Sequence, residues 1–125
     1  MQRLALLVLV AFSLILPGCG GGDGEGSEAS EAPQIDCEKE TVPTFAEVRA
    51  FDVCTNCHSS EKEGLERNGA PPNLNFDVYE IAADTAPRMV NQVSMGNMPP
   101  PSSGFSLTAE VKDELFVWAE CGTPE

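Results

Sequence analysis

Two thiols and the chain's only imidazole fall within five consecutive residues, Cys54-Thr55-Asn56-Cys57-His58. No other stretch limits the fold so strongly, because three side chains able to ligate metal, exchange electrons or bond covalently are forced onto adjacent positions. The chain around them is short. Of 125 residues, the part able to fold runs from about Cys37 to the end, residues 37–125. A domain of that size has a marginal core unless a crosslink, a metal or a cofactor adds to it.

The stretch before Cys37 reads as targeting and reach. Residues 1–18 carry one early cation, Arg3, and then the uncharged run Leu4 to Leu16. That run is too short to span a bilayer and has the length of a signal-peptide core. Leu16-Pro17-Gly18-Cys19 resembles a bacterial lipobox, which makes Cys19 the lipidated mature N-terminus. An ordinary secretory peptide and a signal anchor are the alternatives, and all three place the domain on the periplasmic or other extracytoplasmic side of a bacterial membrane. Residues 19–36 are Gly, Ser and acids without apolar periodicity, a composition that stays unfolded. As a flexible coil they reach roughly 20 to 25 Å, enough to hold a domain just off a lipid surface.

The formal charge is −13, and five of the acids lie in the tether. Loss of Arg3 with the signal peptide makes the mature chain more negative still. Such a surface disfavours nucleic acid and anionic lipid as partners and favours a protein with a basic patch. Solubility alone is an equal reason for the acids.

Helical signals recur through the domain and strand signals do not. Thr44 and Glu47 form the pattern of a capping box opening a helix to about Phe51, with Phe45, Val48 and Phe51 about one turn apart. Asp77 is placed to cap a second helix from Val78 to about Ala83. Thr85 is placed to cap a third, with Pro87 in its first turn and Gly96 closing it. A last helix begins at Thr108, carries Val111, Leu115 and Trp118 on one stripe, and ends before Gly122. The expectation is an all-α domain of three to five short helices whose long loops need something besides helix packing to organise them.

The pentapeptide supplies what covalent haem attachment needs: Cys54 and Cys57 spaced for two vinyl groups, and His58 beside them to ligate iron. A thioredoxin-like redox pair would need a βαβ context that the chain lacks. A zinc site would need a second half, and Cys37 and Cys121 have no neighbouring ligands. One covalently bound haem c is therefore the expected cofactor. With no second His, the sixth iron ligand falls to methionine. Met98, in Gly96-Asn97-Met98-Pro99-Pro100, sits where proline stiffens the loop. Met95 competes with it, an open position is the third possibility, and Met89 reads as packing on a helix face.

From Thr44 to Thr123 the chain resembles a small monohaem cytochrome c with His and Met ligands. Three local matches carry the resemblance: Cys54-Thr55-Asn56-Cys57-His58, Pro72-Asn73-Leu74, and Met98-Pro99-Pro100 followed by an amphipathic helix with Trp118. It implies a cytochrome c-like fold around the haem, with His58 and Met98 on iron. It also implies that Pro72 offers its carbonyl to His58 while Leu74 packs on the haem, the adjacent Pro71 leaving a one-residue ambiguity. Asp77-Val78-Tyr79-Glu80 replaces the aromatic-rich middle loop of better-known members, so no propionate partner is assigned; Arg88 is the nearest basic residue, and its favoured reading is solvated surface. The family crosses its first and last helices, pairing Phe45, Val48 and Phe51 with Leu115 and Trp118. That crossing would bring Cys37 and Cys121, the two remaining thiols, together as a disulfide in an oxidising compartment; two separate core cysteines are the alternative.

The function this implies is electron transfer between a redox donor and an acceptor protein, without transformation of a substrate. A peroxidase-like enzyme would need an open distal position with acid and base groups beside it. A small-ligand or redox sensor would need a displaceable Met98. An accessory subunit tethered to a larger oxidoreductase is a further variant of the carrier.

Overall fold

Proline and glycine punctuation leaves three α-helices: α1 (Ala50–Cys54), α2 (Tyr79–Ser94) and α3 (Ala109–Glu120). Short 3-10 turns at Phe45–Glu47, Gly64–Arg67 and Pro101–Ser103 interrupt the loops, and no strand occurs among the described residues. The computed structural model describes residues 34–125; the expected signal peptide 1–18, the expected lipidation site Cys19 and the expected tether as far as residue 33 lie outside the described residues. The domain is all-α, as its periodicity indicates. Among the described residues no helix is long and apolar enough to cross a membrane.

Two helix boundaries differ from the sequence reading. The Thr44 box forms, its backbone N–H and hydroxyl donating to the Glu47 carboxylate at 2.8 and 2.9 Å, but it opens only a 3-10 turn. Val48, buried and at ψ 97°, breaks the helix before α1 begins. The expected second and third helices are one. Neither Asp77 nor Thr85 caps a helix: α2 starts after Val78 and runs through Thr85, whose hydroxyl donates back to the Ile81 carbonyl at 2.6 Å. Ala82, Ala86, Met89, Val90 and Val93 form one continuous buried stripe across Pro87. Burial of that stripe outweighs the hydrogen bond that proline cannot donate to Ala83.

The helix ends follow their glycines. Gly96, at φ 70°, lets its own N–H reach the Val93 carbonyl at 3.1 Å and the Asn97 N–H reach the Gln92 carbonyl at 2.9 Å, a Schellman closure of α2. Gly122, at φ 97°, does the same for α3, with the Thr123 N–H on the Trp118 carbonyl at 2.9 Å.

α3 packs against both α1 and α2. Its Trp118 and Leu115 are fully buried. Trp118 meets Phe51 edge-on at 5.2 Å between centroids, and Phe45 contacts Phe51, Tyr79 and Trp118 at 4.9, 5.6 and 6.1 Å. The predicted pairing of first and last helical segments is thus present. The C-terminal residues clasp it: Pro124 accepts from the Phe45 N–H at 2.8 Å and from the Trp118 indole at 2.9 Å, and Thr123 accepts from the Tyr79 hydroxyl. Cys37 and Cys121 are disulfide-bonded, with Cα atoms 5.5 Å apart, which joins the start of the domain to the end of α3.

Candidate functional site

α1 ends at Cys54, and the turn after it carries Cys57 and His58, the backbone continuing through Cys57 N–H and His58 N–H bonds to the Cys54 carbonyl at 3.1 and 2.9 Å. That turn sets both thiols and the imidazole on one wall of an open cavity of about 270 Å³. α2 supplies Met89 and Val93 to a second wall, and the segment after it supplies Met98, Pro99, Phe105 and Leu107. The surface is mostly apolar. Cys54, Cys57, His58, Leu74 and Met98 all line it.

Met98 reaches the cavity because of how α2 ends. The Gln92 carbonyl accepts from the N–H groups of both Asn97 and Met98, at 2.9 and 3.2 Å, so the chain folds back immediately after Gly96. Met98 is 37% exposed at the cavity edge, whereas Met95 is 59% exposed and does not line the cavity. Met89, read from sequence as packing, does belong to the buried core, and also lines the cavity.

His58 is held by three contacts. Its ring stacks on Phe76 at 4.6 Å between centroids, its carbonyl accepts from the Phe76 N–H at 2.8 Å, and Nδ1 faces the Leu74 carbonyl at 3.2 Å. The last contact corrects the expectation for Pro72, which is exposed and does not line the cavity. The His58 partner comes from Leu74 because the backbone carbonyls of Ala70, Pro71 and Leu74 are drawn inward by another residue. That residue is Arg67. Only 5% exposed, it donates Nε to Ala70 at 3.2 Å, Nη2 to Pro71 and Leu74 at 2.6 and 3.0 Å, and Nη1 to Lys62 at 3.3 Å and to Ser59. A buried guanidinium satisfied by backbone oxygens gives no periodic sequence signal, so sequence reasoning missed it. Asp77 braces the other end of the same loop, accepting from the Ser59 hydroxyl at 2.8 Å, the Ser60 N–H at 2.9 Å and the Ser60 hydroxyl at 2.8 Å.

The electrostatics separate the possible chemistries. Burial pushes the Cys54 thiol up to about 12, with a smaller push from Cys57. A redox-active pair needs the opposite, a thiol whose acidity is increased. Burial also lowers the His58 pKa, opposed by its bond to Leu74 and assisted by the Arg67 charge, which favours the neutral ring that a metal requires. With Nδ1 directed at a carbonyl, Nε2 is the nitrogen left for ligation. Among the described residues, no three His, Cys, Asp or Glu side chains converge as a metal cluster. An iron porphyrin suits this donor set better: thiols for its periphery, one imidazole and a thioether for its iron, and apolar walls for its faces.

Arg88 lines the cavity with Thr85, Gln92 and Ser103 at its polar edge, and no carboxylate among the described residues does so. No protein-family model matches the chain, and neither does any curated protein or any solved structure.

Proposed function

We propose that the protein is a small lipid-tethered cytochrome c that carries electrons outside the cytoplasm. The observation that carries this reading is the convergence of Cys54, Cys57, His58 and Met98 on one largely apolar cavity. Cys54 and Cys57 would hold a haem by thioether bonds, each S–H adding across a vinyl group, while His58 and Met98 ligate the iron. When bound, the haem supplies a one-electron ferric/ferrous couple, whose potential thioether ligation raises. His58 enters neutral and oriented through the Leu74 carbonyl, and Leu74, Phe76, Val93 and Leu107 exclude water from the centre. A cytochrome c-like arrangement of α1, α2 and α3 is part of this proposal.

The carrier is favoured over a haem enzyme by the groups around the cavity. His58 is committed to iron, and among the described residues no lining carboxylate is available for proton transfer beside a distal position. The acidic surface suits a redox partner with a basic patch, and lipid on Cys19 would keep the encounter near a membrane.

The test is an absorption spectrum of the full chain produced with haem-attachment machinery. A c-type reduced spectrum that resists acid-solvent extraction, with a ferric sulfur-to-iron band, supports the carrier. A high-spin ferric spectrum, or carbon monoxide binding to the native protein at neutral pH, transfers the reading to an enzyme or sensor.

A further inference from the structure

Arg67 presents an unusual arrangement for a cation. Its five N–H donors meet five backbone carbonyls, those of Ser59, Lys62, Ala70, Pro71 and Leu74, and no carboxylate pairs with it among the described residues. The dipoles satisfy its hydrogen bonds but leave its charge without a counter-ion in a buried position, where little solvent screens it. One of those carbonyls, Leu74, is the oxygen that faces His58 Nδ1.

Sharing that oxygen has a definite sign. A carbonyl accepting from Nδ1–H increases the electron density of the ring and strengthens it as a ligand, most of all toward the more positive oxidation state of a metal. A guanidinium donating to the same carbonyl draws density the other way. Its charge also opposes any added positive charge nearby. Both effects favour the reduced metal.

We propose that Arg67 is a positioning residue that acts through the Leu74 carbonyl on His58, weakening the imidazole as a donor and holding the iron couple at higher potential. The proposal rests on the haem reading above. It assigns the residue two separable tasks: the fork of donors shapes the loop 59–74, and the charge sets the potential.

Haem-loaded full-length wild type, R67M, R67Q and R67K are to be compared by spectroelectrochemical titration and by protease digestion of the loop. R67M and R67Q should lower the equilibrium constant for reduction against a fixed couple tenfold or more, a fall of at least 59 mV for one electron. R67K, which keeps the charge without the fork, should retain most of the wild-type potential while its loop is cut faster. If R67M does not hold haem, R67Q against R67K decides the matter. Equal potentials in those two variants, or a wild-type potential in R67Q, overturn the proposal and leave Arg67 as a loop clasp. Absence of covalent haem from the wild type itself defeats the haem reading, and this inference falls with it.

Discussion

Met98 and Asp77 show how much a single side chain decides here. Met98 stands at the cavity edge because the Gln92 carbonyl binds its N–H, whereas Met95, three residues earlier, lies outside the cavity. Replacing Met98 with Ala should convert the ferric protein from low spin to high spin and remove the sulfur-to-iron band. A variant that keeps the wild-type spectrum would identify Met89, the other methionine on the cavity wall, as the ligand. Asp77 acts on the opposite side, fixing the turn after His58. Its desolvation tends to raise its pKa, but the bonds from Ser60 and Ser59 together outweigh that and hold the carboxyl below its ordinary 3.8. The folded state therefore prefers the carboxylate, and the resulting stability is fully present above about pH 5 and lost as pH falls through 3.8 and below. Asp77→Ala should cost about 1 to 2 kcal/mol at neutral pH, since it removes the acceptor of the buried Ser59 O–H and of the Ser60 N–H and hydroxyl. Denaturant titrations at pH 7 and pH 3 check both statements: the wild-type advantage should shrink at the lower pH.

At the scale of elements, α2 is where local signals and tertiary burial disagree. Its sequence carries a helix breaker at Pro87 and a plausible cap at Thr85, yet sixteen residues from Tyr79 to Ser94 form one helix. The buried stripe from Ala82 to Val93 serves both the core, where α2 packs against α3, and the cavity wall at Met89 and Val93, and a break at Thr85 would turn half of it away. Pro87 is exposed and lies opposite that requirement. Pro87→Ala restores the N–H donor for the Ala83 carbonyl, and should stabilise the domain by about 1 to 3 kcal/mol in chemical denaturation without altering the haem spectrum. An unchanged or lower midpoint would mean that the ring already fits the helix without cost.

For the whole molecule, the loop closed by Cys37 and Cys121 encloses nearly the entire domain, with a sequence separation of 84. In the chain-entropy view such a closure contributes about 4 kcal/mol by restricting the unfolded chain. A haem held by Cys54, Cys57 and Met98, as proposed, would restrict the same chain between those two walls. Cys37→Ser with Cys121→Ser should therefore lower the thermal midpoint more in the haem-free protein than in the loaded one, by scanning calorimetry on both. An equal drop would argue that the crosslink acts through the packing of α3. Much of this molecule was legible before any coordinates. The Cys54-Thr55-Asn56-Cys57-His58 segment, the helical character, the glycines that close α2 and α3, and the choice of Met98 over Met95 as the methionine that lines the cavity all follow from local chemistry, because spacing and backbone propensity act over a few residues. The continuity of α2, the replacement of Pro72 by Leu74 at His58, and the burial of Arg67 among five carbonyls were decided only by tertiary structure. Each depends on which distant surfaces are buried together and which backbone oxygens a cation can reach once the loop 59–74 is closed, and neither quantity is written in the order of neighbouring residues.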